Sequence, residues 1–457
     1  MRIGIVLSLA AVVSVLAFGG VETIGFAPAQ VAVALLAVAE FWRRGWPPVG
    51  WPTRIVLAVL LLVPLLQLVP LPDSAIASLS PGRANLGHDI FVSLDLPVSR
   101  YTISVNPYET QMALLRLICY LLVFLLAIRS YRLRGRQTGL MTMLLGVGLF
   151  EAIYGVVQYL TGWQYIFTYA KRFYTNDATG TYINHNHFAG LLEMALPFLL
   201  AGILLRIPSH RRDTRSRWVE AIVSPWTSHL LRDIVLFALM ALALLFSRSR
   251  MGIAGALTGL LVVAVISYLY TRRGLILAVV FLALAIPAAY SAWVGLGPIV
   301  ERFDREGGVA EMLEQDRLPI WRDTRRLIGD HPWLGTGLGS YRWAIFHDQS
   351  HALHSQYEHA HNDYMEFAAD VGIPVSVLLF GSLWILAGRV GRRALQLEHS
   401  HDRVLATGCA GAMAAILTHE IVDFNLQIPA NALLFAWIAG SAAALVQKSP
   451  HTGEHSL

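Results

Sequence analysis

Short clusters of polar residues interrupt a chain that is otherwise largely apolar. They lie at 182–187, 247–250, 359–364 and 419–425, and arginines recur between 302 and 342. Histidine can remove a proton from a hydroxyl group near neutral pH. Arginine forks bind phosphate oxygens in bidentate fashion and stay charged. Together these residue types indicate chemistry on a hydroxyl group and a phosphate-bearing ligand.

The first cluster contains Asn184, Asn186 and His187, with Arg172 upstream. A short polar side chain before an apolar run commonly caps a helix, which gives Asn186 a purely structural explanation. Two asparagines and two histidines side by side exceed what one cap requires. We therefore predict that Asn184, Asn186, His187 and Arg172 bind substrate.

The cluster at 359–364 begins a predicted helix. Asp363 and Glu366 have the spacing of a capping box, which places His361 just ahead of the helix and exposes it to water. We predict that His361 is the general base and that Asn362 and Tyr364 bind substrate. The alternative is that His361 only makes hydrogen bonds within the fold.

Two further positions complete the predicted substrate site. They are Arg317, from the arginine-rich stretch, and Asp423, whose charge is costly at membrane depth unless arginines balance it. The glycines at 335–339 resemble a phosphate loop, but no strand–turn–helix unit accompanies them, so we predict a turn. The histidines at 347, 351, 354, 359 and 361 match no zinc-binding spacing, so we predict no metal ligand and no cofactor.

Composition places these clusters in a membrane protein. Of 457 residues, 55% are hydrophobic and 14% are charged, and the mean hydropathy is +0.54. Such a chain belongs in a bilayer. Its net charge of +5 resides in short groups between apolar runs, which argues against nucleic acid as a partner. Twelve segments approach the length of a membrane span: 3–19, 27–42, 54–71, 108–129, 138–160, 188–206, 233–247, 251–270, 274–294, 372–390, 404–423 and 428–446.

Arginines are concentrated in alternate connections, which predicts orientation. The arginine clusters fall at 43–54, 129–136, 206–217, 272–273 and 389–403. By the positive-inside rule these turns are cytoplasmic. The polar clusters then share the outer side, as does a helical cap over 295–371. We predict one membrane domain over 1–457, with a retained first helix.

Arg248 and Arg250 therefore lie on the side of the membrane that the rule disfavours for arginine. A bound phosphate would compensate them, and Gly252 permits close approach of a ligand or a helix. Alternatively, the arginines extend to lipid headgroups or pair with Glu193 or Asp423. We predict that Arg250 has a catalytic role and that Arg248 binds substrate.

The order of these motifs resembles the O-antigen ligase and O-antigen polymerase superfamily of bacterial envelope glycosyltransferases. The resemblance rests on 180–190, 249–252, 317–321, 331–337, 359–364 and 423–425, within a core of about 140–440. It implies a GT-C-like fold of about 12 transmembrane helices and a glycan donor on undecaprenyl pyrophosphate. It also implies metal-independent transfer in which Arg250 holds the pyrophosphate and His361 activates the acceptor. Val375 departs from the ligase pattern that His361, Asn362 and Gly372 match.

The function expected from this resemblance is that of an inverting glycosyltransferase in the bacterial inner membrane, with its active face in the periplasm. The first reading is an O-antigen ligase with a lipid A core acceptor. A polymerase that joins lipid-linked repeat units to a glycan acceptor is the alternative. A lipid-linked glycan flippase should instead carry polar groups through the whole bilayer depth. Besides donor and acceptor, the expected partners are membrane lipids.

Overall fold

The computed structural model describes residues 2–97, 99–134, 138–206, 225–274, 317–349 and 358–447. Its helices are α1 Arg2–Leu16, α2 Thr23–Arg44, α3 Trp51–Gln67, α4 Asp73–Leu79, α5 Pro81–Ser93, α6 Pro107–Arg134, α7 Thr138–Thr161, α8 His185–Arg206, α9 Pro225–Ser247, α10 Arg250–Thr271, α11 Leu318–Asp330, α12 Tyr341–Asp348, α13 Asp363–Val371, α14 Ile373–Ala394, α15 Ser400–His419 and α16 Pro429–Gln447. Short 3₁₀ turns occupy Phe18–Gly20 and Asn425–Gln427, and the strands Tyr165–Ile166 and Tyr169–Ala170 form a small hairpin. The predicted all-α membrane fold is confirmed.

Long apolar helices occupy the predicted spans. Seven described helices, α2, α6, α7, α8, α10, α14 and α16, are long and apolar enough to cross a membrane, and α1 and α3 are shorter apolar helices. Helices α9 and α15 coincide with two further predicted spans. Nearly all of the ninth segment, 274–294, lies outside the described residues. A helix satisfies every internal backbone hydrogen bond without water, which is why apolar runs adopt it in a multi-pass membrane protein.

Small residues bring α10 and α15 into close contact. Gly255 and Gly259 stand one turn apart on α10, and a Cβ on Gly259 would lie 2.6 Å from the Gly411 carbonyl oxygen. A Cβ on Gly255 would lie 2.8 Å from the carbonyl oxygen of Ala415. Glycines spaced this way let membrane helices approach at backbone distance. His419, one turn beyond Ala415, is therefore buried in the same seam.

The described residues of the cap, 317–349 and 358–371, form α11, α12 and α13. Helix α5 packs against α11, where a Cβ on Gly82 would meet the carbonyl oxygen of Asp330 at 2.4 Å. The glycine-rich segment 335–339 wraps the end of α13: Thr336 and Gly337 donate backbone hydrogen bonds to the carbonyls of Ala369 and Asp370, both at 2.9 Å. The prediction of a turn there is confirmed.

One side chain attaches α3 to the cap. Gln67, the buried last residue of α3, donates through Nε2 to the carbonyl oxygens of Leu334 at 2.6 Å and Asp370 at 2.8 Å. Its Oε1 accepts from the backbone N–H of Leu338 at 3.0 Å. The cap therefore sits on the end of the bundle where α3 ends, and we call this the cap end.

Candidate functional site

A buried carboxylate, Asp423, gathers basic side chains from three segments. Its Oδ2 lies 3.8 Å from His419 Nε2 and 3.9 Å from Arg317 Nη2, and its Oδ1 lies 4.0 Å from His187 Nε2. Burial alone would raise the pKa of Asp423, but the surrounding histidines outweigh it and lower the pKa below its usual value. The protein therefore keeps Asp423 ionised among these groups.

Phe424, the next residue, packs against three histidine rings. It stacks on His359 with ring centroids 4.1 Å apart and an angle of 15°. His361 and His187 meet it edge-on, at 4.9 and 4.8 Å. His359 and His361 come from the cap and His187 from α8, so Phe424 brings the two predicted clusters together. We call Asp423, Phe424 and the surrounding His187, Arg317, His359, His361 and His419 the Asp423 centre.

His361 adopts a left-handed backbone conformation, with φ of +48°. Such a conformation costs about 1 kcal/mol or more in a residue with a side chain and persists only when neighbours fix it. Here Ala360 donates its N–H to Glu366 Oε2 at 2.8 Å, and Asn362 Oδ1 accepts from the N–H of Met365 at 3.0 Å. The cap of α13 is therefore Asn362, and the predicted box beginning at Asp363 is wrong by one residue.

The environments of the two cap histidines push their pKa values in opposite directions. Burial lowers the pKa of His361, and the nearby Asp423 carboxylate only partly offsets this. For His359 burial also acts downward, but Glu366, whose Oε1 lies 2.8 Å from His359 Nδ1, outweighs it and raises the pKa. Divergent pKa values in one site separate acid and base roles. His361 is the neutral ring, and it is largely buried, not fully exposed to water as predicted.

Hydrogen bonds and two buried carboxyl groups, Asp363 and Glu420, hold the loop that contains Asp423 against α13. The backbone N–H of Asp363 donates to the carbonyl oxygens of Glu420 and Asp423, both at 3.1 Å. In return Asp363 Oδ2 accepts from the N–H of Leu426 at 2.9 Å. Burial raises the pKa of both Asp363 and Glu420. Asp363 raises the pKa of Glu420 further, whereas a hydrogen bond with Glu420 lowers the pKa of Asp363. Two such groups share a proton near neutral pH, which keeps the loop against the cap.

The second basic group is the arginine turn, Arg248 and Arg250. Asp177 Oδ1 lies 3.4 Å from Arg248 Nη1, and Asp177 Oδ2 lies 3.0 Å from His185 Nδ1. Arg248 is thus paired with Asp177 and not with Glu193 or Asp423, the partners considered for it from the sequence. Its φ is +57°. Arg250 begins α10 with an exposed side chain.

The packing around the arginine turn shows why residue 252 is a glycine and where Tyr174 lies. A Cβ on Gly252 would lie 2.5 Å from the Ala189 Cβ of α8, so this glycine permits the approach of a helix. Tyr174 stacks on His185 with centroids 4.3 Å apart. Burial raises the pKa of Tyr174, and Asp423, Arg317 and Asp177 all act on it electrostatically. Tyr174 therefore lies between the arginine turn and the Asp423 centre.

Other predicted site residues have structural contacts. Tyr364 donates its hydroxyl to the carbonyl oxygen of Leu417 at 2.8 Å and accepts from Trp384 Nε1 at 3.0 Å. Asn184 Oδ1 accepts from the N–H of Asn186 at 2.9 Å at the start of α8. The capping role considered for Asn186 thus belongs to Asn184. Arg172 is exposed near the small hairpin.

A groove of about 600 Å³ opens beside the Asp423 centre. Helices α3, α6, α14 and α16 line it, largely with apolar side chains that continue down the bundle. Its polar mouth includes Arg342, Glu358, His359 and Asp363, and Arg116 lines its wall on α6. An apolar groove with a charged mouth has the character of a lipid site.

Within the described ranges, no group of three His, Cys, Asp or Glu residues is arranged to hold a metal ion. The histidines at 351 and 354 lie outside those ranges, and the side chain of the histidine at 347 is likewise undescribed.

Residues 235–380 match the family model described as O-antigen ligase. The match confirms the resemblance to the O-antigen ligase and O-antigen polymerase superfamily. It begins within α9 and ends within α14, and so includes Arg250, Arg317 and His361. The family supports an O-antigen ligase or polymerase type of function and lipid-linked glycans as partners in general. A search of curated proteins finds no match.

Three features of this arrangement were not predicted from the sequence: the pairing of Asp177, the packing on Phe424, and the contact between Glu193 and His419. Asp177 lies in a polar loop with no motif around it, and Phe424 reads as an ordinary apolar residue. The contact between Glu193 and His419 joins residues 226 positions apart. Only the charge of Glu193 inside an apolar run signalled a role, since ionisable residues are expensive there.

Proposed function

We propose that this protein transfers a glycan from undecaprenyl pyrophosphate to an acceptor hydroxyl on the periplasmic side of the inner membrane, as a ligase whose acceptor is lipid A core. The observation that carries the proposal is a neutral, partly buried His361 near the Arg317 guanidinium, at the end of an apolar bundle and next to a lipid-like groove. A hydroxyl acceptor requires a group that takes its proton. A lipid pyrophosphate donor requires cations for the pyrophosphate and an apolar groove for the lipid.

In the proposed step the acceptor oxygen forms a bond to the anomeric carbon of the donor glycan. The bond from that carbon to the pyrophosphate oxygen breaks, and its electron pair leaves with the pyrophosphate. His361 takes the hydroxyl proton. Because pyrophosphate is a good leaving group, the protein mainly positions the reactants and neutralises developing charge. Attack opposite the leaving group inverts the anomeric centre, and no metal takes part.

We assign different roles to the arginines of the turn and to Arg317. Arg250, with Arg248 beside it, holds the pyrophosphate, because the turn exposes both side chains at the cap end. Arg317 is anchored by Asp423 and by a hydrogen bond from Nη1 to the Val422 carbonyl at 2.5 Å, so it presents a fixed charge to the reacting sugar. His187 lies at the same carboxylate and faces the glycan. Asn184, Asn186 and Arg172 line the approach from the hairpin side, while Asn362 and Tyr364 act through the position of α13.

Two alternatives differ in substrates or in chemistry. A polymerase would use a lipid-linked glycan as acceptor too, and Val375 leaves that reading open. A flippase would need polar groups along the whole path, whereas the described clusters gather at the cap end and the groove below is largely apolar.

The test supplies purified protein in lipid vesicles with donor alone, or with donor plus lipid A core. Glycan appearing on lipid A core supports the ligase. Longer lipid-linked glycans formed from donor alone support the polymerase instead. Movement of donor between leaflets with no new glycosidic bond would refute both enzyme readings. His361→Gln protein serves as the matched negative control in each mixture.

A further inference from the structure

We propose that Glu193 is a positioning residue for the Asp423 centre: through His419 it fixes the charge and place of Asp423, and thereby holds Arg317 and His187 beside His361. The inference rests on the proposed function for the identity of the reaction, but its geometry stands without it.

The three residues form a continuous buried chain. Glu193 lies eight residues into α8, about 12 Å from its start. Its Oε1 is 3.0 Å from His419 Nδ1, and His419 Nε2 is 3.8 Å from Asp423 Oδ2. Glu193 and His419 are fully buried, and Asp423 is 1% exposed. One imidazole therefore spans two carboxylates.

The helix packing makes room for this chain. A Cβ on Gly255 would lie only 2.5 Å from Glu193 Oε2. Glycine at this place on α10 thus leaves space for a carboxylate in a seam where backbones are otherwise in contact. A carboxylate so enclosed is costly unless a cation balances it, and His419 is the basic side chain that contacts it.

The proposed chain is balanced in charge. In it Glu193 and Asp423 are ionised, and imidazolium at His419 and guanidinium at Arg317 offset their two negative charges. Further ionisable groups that interact with the three are His187 and His361, which act on Asp423, and Glu420, which interacts with Asp423 and Glu193. Helix α10, packed against α8 and α15, carries no charged residue after Arg250. Without the Glu193 charge, His419 would lose its proton more readily and Asp423 would lose one of its cations.

The test compares two buried glutamates. Glu151 in α7 is equally buried, but it accepts hydrogen bonds from Thr181, at 2.8 Å from the backbone N–H and 2.7 Å from Oγ1, and contacts no histidine. Protein labelled with ¹⁵N-histidine is studied by solid-state NMR at pH 7, with His419→Gln assigning the signal. We expect imidazolium at His419 in the wild type and in Glu151→Gln, and neutral imidazole in Glu193→Gln.

The transfer assay adds a second readout. Glu193→Gln should lower kcat by about 10- to 100-fold, the usual effect of losing an outer residue that orients a reactive one, with a smaller change in donor KM. The alkaline limb of the pH profile should move to lower pH in this variant and stay in place in Glu151→Gln. If Glu193→Gln does not fold, Glu193→Asp keeps the charge and should retain the imidazolium signal.

Each result either supports or overturns the inference about Glu193. A neutral His419 in the wild type or in Glu193→Asp, or an unchanged signal in Glu193→Gln, overturns the inference. So does a Glu193→Gln protein with the pH limbs of Glu151→Gln. A wild-type protein that transfers no glycan from any donor would defeat the proposed function alone, because the His419 signal would still decide whether Glu193 sets its charge.

Discussion

The Asp423 centre and the arginine turn are both basic and both lie at the cap end, yet their surroundings differ. In the Asp423 centre the carboxylate is buried, three imidazole rings pack on Phe424, and the cap covers the site. In the arginine turn the Arg248 side chain is 46% exposed and pairs with Asp177. One region is enclosed and fixed, and the other is open to water.

That difference suits the two halves of a transfer reaction. A proton acceptor works best when burial and neighbouring charges hold its ring and set its pKa before the substrate arrives. A site that must capture and release a multiply charged pyrophosphate gains from solvated arginines that can reorganise around it. His361 and Arg248 also share a left-handed backbone conformation, so each region fixes the chain at a residue to which we assign a role.

The largest predicted effect tests the enclosed region. Replacing His361 with Gln removes the proposed base and should lower the transfer rate about 10²- to 10⁴-fold. Because burial lowers the pKa of His361 below 6.5, the wild-type ring stays neutral to lower pH than an ordinary histidine. The acid limb of kcat/KM should therefore fall below 6.5 and be absent in the variant. A limb that survives would move the base to another group, such as Asp363 or His187.

A smaller effect is expected in the open region from Arg250→Lys. Lysine keeps the charge but loses the bidentate fork, so kcat/KM for the donor should drop about 10- to 100-fold, equivalent to one charged hydrogen bond. The acid limb should not move. Arg325→Lys is the matched control, since that arginine is also exposed and has no proposed role, and it should change the same constant by less than about threefold. Equal losses in both variants would show that the turn has no special role.

Asp177→Asn should have a modest effect, because its pair with Arg248 is partly exposed and such pairs contribute about 1 kcal/mol or less. The donor KM should rise a few-fold while kcat stays near that of the wild type. Measuring both constants distinguishes this result from damage to the Asp423 centre, which would lower kcat. A loss of kcat alone would contradict the division between the two regions.

The smallest effect on activity is expected from Tyr364→Phe. Its hydroxyl is held by Leu417 and Trp384, so the variant should lose about 1 kcal/mol of stability and keep its transfer rate. Thermal unfolding of the purified protein measures the first and the transfer assay measures the second. A stable but inactive variant would return Tyr364 to direct substrate contact.

Local residue patterns predicted the helices and many of the site residues. They could not predict contacts between residues that are far apart in the chain. Apolar runs predicted helices at the spans because the bilayer leaves the backbone little choice. Residue type predicted His361, Arg317 and His187, and charge at membrane depth predicted Asp423. The structure brings these four residues together. Phe424 could not be predicted as the common neighbour of three histidines, because that role depends on how the cap folds onto α8. Asn362 and Asn184 were assigned to substrate although their side chains are used as helix caps, a choice between two common uses of asparagine.

The three hydrogen bonds of Gln67 have a mechanical consequence. Helix α3 forms one wall of the groove, and separating it from the cap would break all three bonds together. Each buried group left without a partner would cost about 1–3 kcal/mol. The wall and the cover of the groove therefore move as one body. A lipid chain that enters sideways must spread α3 from α6 or α14, and any tilt of α3 is transmitted through Gln67 to the far end of α13, the helix that begins two residues after His361.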